Sequence, residues 1–395
     1  MSVPLVFLWL LLPARREDSP SFPSPRPARK WHVDPAKARE YRDRALTQAR
    51  TWHATDPRSA NFSKNPSDPS GLLSTDLVEC RHLEKPAAGT SPKFDCALAD
   101  GEVVRVKYGL TKEIHAEIAA SRLLTALGFA ADRVYSIQRL RCYGCAREPY
   151  YTTKTLDYVH ARGVASKAVP DEGYTDFEWV AVERRHDGVP IEAEDDQGWA
   201  WFELRDADAA EPRLRAERDA LRLAAMLLAH WDNKASNQRL MCKSPAADGS
   251  CVEPIALIQD LGSTFGPDRV DLDAWTKAPV WTDRARCTVS MKKFPYGGGT
   301  FPDGPISEPG RQLLARQLAA LNDQQLTTLF TAARFPEADG HEGADANAWT
   351  QVLRAKISEI ADAGPCPGET RERKGREDRK SSFRSVSSES RRRRP

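Results

Sequence analysis

The sequence of 395 residues lacks a long apolar run and has almost no excess of either charge. Its most apolar stretch, Val3 to Leu12, is half as long as the roughly 20 residues that a bilayer-spanning helix needs. No integral membrane span is therefore expected. The formal net charge is only +2, so bulk charge predicts no specific nucleic-acid partner. With 40% hydrophobic residues, the chain can bury one large core or two moderate ones.

Zinc ligation is disfavoured, because the Cys-x-x-Cys pair at 142–145 has no second Cys-x-x-Cys and no His-x-x-His to complete it. A redox pair and a tight disulfide are the other interpretations of this pair. The eight cysteines are even in number and several are close in sequence, which favours disulfides in an oxidising compartment. Cys80 with Cys96, and Cys242 with Cys251, are two further candidate pairs. An extracytoplasmic protein, secreted or periplasmic, is expected; a cytoplasmic protein with buried thiols is the alternative.

The two ends of the chain differ from the middle. Residues 1–30 join the apolar stretch, which is typical of a signal-peptide core, to a Pro/Ser linker. Residues 31–75 are expected to form a helical extension. Residues 366–395 are rich in Arg, Lys and Ser, which predicts a disordered basic tail. The charge of this tail also suits contact with an acidic surface.

Two short polar segments carry the chemical signal. Residues 230–237 read His-Trp-Asp-Asn-Lys-Ala-Ser-Asn and follow a stretch of helical periodicity, 213–229. Residues 259–266 read Gln-Asp-Leu-Gly-Ser-Thr-Phe-Gly and follow 254–258, an apolar run typical of a buried strand. Isolated Asp-Asn and Asp-Gly pairs usually form turns. Here the residue types, their order and their spacing also match what phosphoryl transfer requires.

Together the segments read His-x-Asp-x-Lys-x-x-Asn followed by Asp-Leu-Gly, which resembles the protein-kinase-like superfamily. The resemblance implies Asp232 as the catalytic base and Lys234 as the cation that steadies the transferring phosphoryl group. It implies Asn237 and Asp260 as ligands of Mg²⁺ or Mn²⁺, with Asp-Leu-Gly in place of Asp-Phe-Gly.

The resemblance covers roughly residues 76–335 and implies an α+β, two-lobed protein-kinase-like fold with ATP bound between the lobes. The β-rich N-lobe is expected at 76–190 and the mainly helical C-lobe at 191–365. Helices at about 309–321, 323–333 and 347–361 are expected to complete the C-lobe.

A nucleotide-binding region is expected upstream of these segments. Residues 102–109 alternate like a half-buried strand, which would place Lys107 among the ATP phosphates. An amphipathic helix is predicted from 111 to 127. Its Glu117 is the preferred ion-pair partner of Lys107, and Glu113 is the alternative.

No Gly-x-Gly-x-x-Gly precedes the lysine strand, although the segment there can offer backbone amides and a cation to phosphate. The same Ala-Gly-Thr-Ser-Pro sequence is also an ordinary hairpin turn. The candidate phosphate contacts are Gly89, Thr90, Ser91 and Lys93. A strand at 177–183 is expected to lead into a hinge, where the backbone of Val182 and Glu183 would meet the adenine.

The chain lacks Gly-x-Gly-x-x-Gly before the lysine strand and Ala-Pro-Glu after Asp260, and both absences set it apart from regular protein kinases. It is similar instead to the atypical phosphatidylinositol 3/4-kinase-like, HipA-like and secreted Fam20-like kinases. We therefore expect an enzyme that transfers the γ-phosphoryl group of ATP to an unidentified hydroxyl, on protein Ser/Thr, a lipid or a small molecule. A catalytically inactive pseudokinase or nucleotide-binding scaffold is the alternative. The acceptor segment is expected between Val270 and Phe301, where glycines at 297–299 suggest a mobile loop.

Overall fold

The computed structural model describes most of the chain between residues 20 and 367. The described ranges are 20–66, 72, 75–86, 89–184, 186–193, 198–206, 211–295, 299–339 and 345–367. The expected signal segment at 1–19, nearly all of the expected tail (368–395), and Gly297 and Gly298 lie outside the described residues.

Strands and helices are both well represented, so the α+β composition expected from the sequence is confirmed. The strands are β1 Leu77–Leu83, β2 Lys93–Leu98, β3 Val103–Lys107, β4 Arg133–Tyr143, β5 Tyr174–Arg184, β6 Val189–Pro190, β7 Gln238–Cys242, β8 Pro254–Ile258, β9 Thr288–Val289 and β10 Gly304–Pro305. The α-helices are α1 Pro35–Gln48, α2 Lys112–Ala126, α3 Pro149–Tyr158, α4 Trp201–Asp206, α5 Pro212–Leu228, α6 Leu272–Lys277, α7 Glu308–Ala319, α8 Asp323–Ala332, α9 Phe335–Asp339 and α10 Ala346–Ala361. The helices predicted near 309, 323 and 347 are confirmed as α7, α8 and α10. None of the described helices combines the length and apolar character that crossing a bilayer requires.

The chain divides into two compact units that interleave along the sequence. Among the described residues, the first comprises those within 20–28, 67–110 and 135–185; the second comprises those within 29–66, 111–134 and 186–367. The first is rich in β-structure and the second is mainly helical. Helix α2 belongs to the second unit. The expected lobe bounds, 76–190 and 191–365, stay a prediction.

The first unit contains a closed barrel with the strand order β1-β2-β3-β5-β4. Strands β1 and β4 run parallel, whereas β2 pairs antiparallel with β1 and β3, and β3 pairs antiparallel with β5. Side chains alternate between the two faces of a strand. Val104 and Val106 pack in the barrel core, so Arg105 and Lys107 point to its outer side. The predicted lysine strand is confirmed as β3.

Two disulfides lie in the barrel core, Cys80–Cys96 and Cys142–Cys145. The sulfurs of Cys96 and Cys142, one from each disulfide, are 4.0 Å apart. The first disulfide joins β1 to β2, as the sequence predicted. The second resolves the three interpretations of the Cys-x-x-Cys pair in favour of a disulfide.

The second unit is held by two further disulfides, Cys242–Cys251 and Cys287–Cys366. The first of these closes the loop between β7 and β8, as predicted. The second links residues 79 positions apart. All eight cysteines are paired, and no free thiol is present in the described chain.

The second unit contains a three-stranded sheet with the strand order β6-β7-β8. Its strand β8 is bonded on both edges. It pairs antiparallel with β7 on one edge, and isolated bridges join it to Arg50 and Ala131 on the other. Its residues 256–258 are at most 1% exposed. The predicted buried strand at 254–258 is therefore confirmed.

Helix α2 begins and ends where the sequence predicts. The hydroxyl of Thr111 accepts a hydrogen bond from the amide of Glu113 over 3.3 Å, which caps the first turn. After the last turn, Gly128 has φ 90°, and a Cβ there would collide with the carbonyl of His53. Glycine is required at this position both for its backbone conformation and for the close approach.

Candidate active site

The loop that carries Asp232 begins where helix α5 is made to stop. Ala229 follows the helix with φ 53° and ψ 46°, a left-handed conformation. The amide of His230 donates back to the carbonyl of Ala225 over 2.9 Å. This is the hydrogen-bond pattern that a left-handed residue produces at a helix end. The chain therefore leaves the helix abruptly, and residues 231–234 form an irregular loop.

His230 anchors the start of this loop inside the unit. Its side chain is 1% exposed and packs near Trp201, with ring centroids 6.2 Å apart. Burial lowers the pKa of His230 to about 4, against the opposing effect of the carboxylates of Asp260 and Asp232. Both acids therefore lie within electrostatic reach of one imidazole, which stays neutral near pH 7.

Three of the predicted residues meet within the loop. The ammonium of Lys234 lies 3.3 Å from each carboxylate oxygen of Asp232. The Asn237 side chain donates from Nδ2 to the backbone carbonyl of Asp232 over 2.8 Å. Asp232 is largely buried, with 16% of its side chain exposed, whereas 41% of Lys234 is exposed. The loop thus presents a shielded carboxylate beside a partly exposed cation.

The second polar segment reaches the first through the pairing of β7 with β8. Gln238 lies opposite Ile258 in this register. One residue further out, the amide of Gln259 donates to the carbonyl of Asn237 over 3.0 Å. Asn237 and Asp260 therefore leave the same end of one strand pair. Asp260 has φ 48°, which is uncommon for a residue other than glycine.

The Asp-Leu-Gly segment packs against helix α2 at Gly262. A Cβ on Gly262 would collide with Cγ of Glu113 and would lie 2.9 Å from its Cδ. The guanidinium of Arg269 lies 3.9 Å from the same carboxylate, and its Nε donates to the hydroxyl of Ser263 over 3.2 Å. Glu113, the alternative helix glutamate, is thus packed on the second polar segment. Sequence reasoning missed this role, because the sequence does not show which neighbours a buried glutamate has.

Glu117 lies one turn further along α2 and is 1% exposed. Its expected ion pair with Lys107 stays a prediction. Within the first unit, Lys107 is itself 1% exposed, and its ammonium lies 2.9 Å from a carboxylate oxygen of Glu183. The β3–β5 register explains this contact, since Arg105 lies opposite Glu183 and Lys107 is two residues further along the same face of β3.

Val182 and Glu183 both lie inside β5, which ends at the next residue, Arg184. Val182 faces the barrel core opposite Val106. Their expected contact with adenine stays a prediction.

Of the expected phosphate contacts, Gly89, Thr90 and Ser91 lie in the loop between β1 and β2, and Lys93 is the first residue of β2. Gly89 has φ 77°, and a Cβ there would lie 2.9 Å from the ammonium of Lys93, which therefore sits over the glycine. The Tyr150 hydroxyl donates to the carbonyl of Gly89 over 2.7 Å. Ser91 is 7% exposed, whereas Thr90 is exposed. The hairpin-turn interpretation of the loop is consistent with this geometry, and its binding of phosphate stays a prediction.

The donor set at the β7–β8 end fits a hard divalent cation. Mg²⁺ and Mn²⁺ prefer carboxylate and amide oxygens, which Asp260 and Asn237 can supply. Because Nδ2 of Asn237 donates to the backbone carbonyl of Asp232, Oδ1 of the same side chain points away from that carbonyl.

A different cluster, Cys80, Cys96 and Cys142, is the only set of three acidic, histidine or cysteine ligand atoms that converges among the described residues. All three sulfurs are in disulfides, so they offer no thiolate to a metal.

Asn233 was also missed, because an asparagine after an aspartate looks like an ordinary loop residue. Its side chain is 1% exposed and accepts hydrogen bonds from the amides of Thr300 and Phe301 over 2.8 and 3.0 Å. The end of the expected acceptor segment is therefore fastened to the residue after Asp232.

No protein-family model matches the sequence, and no curated protein matches it. Solved structures similar to the folded chain include two kinases. The kinase CtkA of Helicobacter pylori is 12% identical, with a TM-score of 0.41, over 73% of this chain and 98% of CtkA. A Golgi casein kinase is also 12% identical, with a TM-score of 0.34, over 84% of this chain and 85% of that protein. At these values neither similarity identifies a family or an activity for this chain.

Proposed function

We propose that the chain is an ATP-dependent phosphotransferase that moves the γ-phosphoryl group to an acceptor hydroxyl. The observation that supports this best is the hydrogen bond from the amide of Gln259 to the carbonyl of Asn237. It brings Asn237 and Asp260 to the end of one strand pair, while Asn237 also binds the carbonyl of Asp232. The bond continues the β7–β8 ladder and so places the two polar segments side by side. The fold that would suit this function is the two-lobed, atypical kinase-like fold.

The loop residues are proposed to act on the acceptor and on the moving group. Asp232 orients the acceptor hydroxyl and takes its proton, in a shielded position that favours a defined geometry. Lys234 offsets the negative charge of the transferring phosphoryl group. His230 remains neutral and serves as packing, because burial keeps its pKa near 4.

Asn237 and Asp260 are the residues proposed to hold Mg²⁺ or Mn²⁺. When bound, such an ion neutralises charge on the ATP phosphates. The packing of Glu113 on Gly262 and the left-handed backbone of Asp260 would fix the direction of the Asp260 carboxylate.

The first unit is proposed to supply nucleotide contacts. Lys107 is placed on the outer side of β3, and its contact with Glu183 holds its ammonium in one position. Glu117 is proposed to support the same lysine. The proposed phosphate contacts are Gly89, Thr90, Ser91 and Lys93, and the proposed adenine contacts are the backbones of Val182 and Glu183.

An extracytoplasmic location is proposed because four disulfides use all eight cysteines. Disulfides persist in oxidising compartments and are rare in the cytosol. The acceptor is proposed to be a hydroxyl-bearing protein, lipid or small molecule from such a compartment.

The test compares wild type with Lys107→Met, and with Lys37→Met as an exposed control. Label from γ-labelled ATP is followed into the chain itself, casein, mixed lipids and water, with Mg²⁺ or Mn²⁺ present. We expect labelling by wild type and the control, and a loss of at least about 100-fold in Lys107→Met. ATP binding without labelling would instead indicate an inactive nucleotide-binding scaffold. If wild type neither binds ATP nor labels any acceptor, the proposal is overturned.

A further inference from the structure

Asn233 follows the proposed catalytic base and makes hydrogen bonds in two directions. From Nδ2 it donates to the carbonyls of His230 and Trp231 over 3.1 and 3.2 Å, and to the sulfur of Met291 over 3.1 Å. From the other end of the same amide, Oδ1 accepts from the backbone of residues 300 and 301. One buried side chain thus holds its own loop in shape and fastens a distant segment to it.

Thr300 completes the fastening from the other side. Its hydroxyl donates to the backbone carbonyl of Asn233 over 2.5 Å and accepts from the amide of Trp201 over 3.2 Å. The Thr300 carbonyl accepts from the amide of Phe202 over 3.2 Å. Segment 299–301 is therefore bound both to the loop that carries Asp232 and to the start of helix α4.

Gly299 allows this close approach. A Cβ at this position would lie 2.9 Å from Oδ1 of Asn233, closer than a carbon and an oxygen normally come without displacement. The position does not have a left-handed backbone, so an alanine there would disturb the contact without straining φ.

The continuation of the segment is held by α5. Arg222 is buried and donates to the carbonyls of Pro302 and Pro305, both over 3.0 Å. Its guanidinium also lies over the ring of Phe301, 5.7 Å from the centroid. Residues 301–305 therefore form a fixed support, and Asn233 is the point where that support meets the loop of Asp232.

The chemistry of the side chain matters here. An amide has donors at one end and acceptors at the other, so it can bind two carbonyls and two amides at once. Aspartate has no donor for the carbonyls, and alanine satisfies neither set. A buried polar group left without its partners is costly, so replacement would loosen the junction.

We propose that Asn233 is the positioning residue for the acceptor, because it fixes segment 299–301 against the loop that carries Asp232. The inference rests on the proposed phosphotransferase function. Asn233 directly follows Asp232, and consecutive Cα atoms are about 3.8 Å apart. The segment that Asn233 binds is therefore held next to the proposed base. An acceptor hydroxyl must approach that base, and displacement by about 1 Å can cost about 100-fold in rate.

The test uses Asn233→Ala and Gly299→Ala, which disturb the same contact from opposite sides. Gly163→Ala is the matched control, because a Cβ at Gly163 meets nothing within 4 Å. The first readout is hydrogen exchange of the amides of Thr300 and Phe301, which does not require activity. We expect at least tenfold faster exchange there in Asn233→Ala, with peptides from 254–258 unchanged.

The second readout is the ratio of phosphoryl transfer to dephosphorylated casein over ATP hydrolysis, together with the KM for casein and the Kd of a fluorescent ATP analogue. We expect both variants to lower the ratio or raise the KM for casein at least tenfold, with the Kd within twofold of wild type. A merely structural role would lower transfer and hydrolysis together. An unchanged ratio and KM, or unchanged exchange at Thr300 and Phe301, would overturn the positioning role. If the variants exchange faster but wild type neither labels any acceptor nor hydrolyses ATP, the proposed function is overturned instead.

Discussion

The backbone amide of Gln259 is hydrogen-bonded to the carbonyl of Asn237, over 3.0 Å, although the two residues are 22 positions apart in the sequence. This bond extends the β7–β8 pairing by one step beyond the strands. As a result, the side chains of Asn237 and Asp260 start from adjacent positions on one rigid element. Such placement is more precise than two independent loops would allow, because strand pairing fixes both backbones.

Gly262→Ala is predicted to displace the Asp-Leu-Gly segment from helix α2. The added Cβ would collide with the Glu113 side chain, which is 4% exposed and has little room to move. Overpacking of this kind typically costs about 1–3 kcal/mol. We expect a lower free energy of unfolding and metal-dependent ATP binding weakened by at least about tenfold, as measured by urea titration and by titration of a fluorescent ATP analogue.

Gly163→Ala serves as the control for that variant, because its Cβ would enter open space. It should leave both quantities at the wild-type value. Wild-type ATP affinity in Gly262→Ala would show that the contact between Gly262 and Glu113 does not position Asp260.

The disulfide Cys287–Cys366 is predicted to stabilise the second unit more than Cys242–Cys251 does. The two bonds span 79 and 9 positions in sequence. In the chain-entropy account, the longer loop contributes about 4.5 kcal/mol and the shorter about 2.6 kcal/mol. Paired Cys→Ser substitutions leave no unpaired thiol, and urea unfolding of each double variant gives the loss. The opposite order of stability would contradict the entropic account.

Glu308 is predicted to make the stability of the second unit depend on pH. Hydrogen bonds from Arg311 hold the pKa of Glu308 at about 2, below its ordinary value of 4.5, with further bonds from the amide of Cys366 and from Gln312. The lowered pKa means that this contribution is fully present above pH 4.5 and is lost as the pH falls toward 2. Glu308→Gln should therefore destabilise the protein at pH 7, and the difference from wild type should shrink below pH 4.5.

The control for this prediction is Glu337→Gln. Glu337 also pairs with an arginine three residues away, but its side chain is 55% exposed. Exposed pairs contribute little, so its unfolding midpoint in urea should follow wild type from pH 7 to 3.5. If the stability difference between wild type and Glu308→Gln stays constant across that pH range, titration of Glu308 is ruled out as its source.

Much of the site was predictable, because its residues stand where regular elements end. The periodicity up to Ala229 and the apolar run up to Ile258 locate a helix end and a strand end, and polar residues follow both. Lys107 was predictable from the alternation of β3. These patterns depend only on neighbours in sequence.

The remaining features depend on contacts between distant segments. Nothing near Asn233 in the sequence indicates that Thr300 would bind it, and Glu113 resembles Glu117 on the same buried face of α2. Closure of the barrel requires β1 to pair with β4, which is distant in sequence. The pairing of Cys287 with Cys366 likewise follows from the packed structure and not from spacing.

The central claim is that Asp232 and Asp260 serve one phosphotransfer site, and it is tested most directly by γ-phosphate transfer from labelled ATP. Wild type is compared with Asp232→Asn and Asp260→Asn, and with Asp273→Asn as an exposed control on α6. Both site variants should lose at least about 100-fold in transfer, and only Asp260→Asn should also lose metal-dependent ATP binding. Transfer at the wild-type rate in either site variant, or its absence in wild type, would contradict the account.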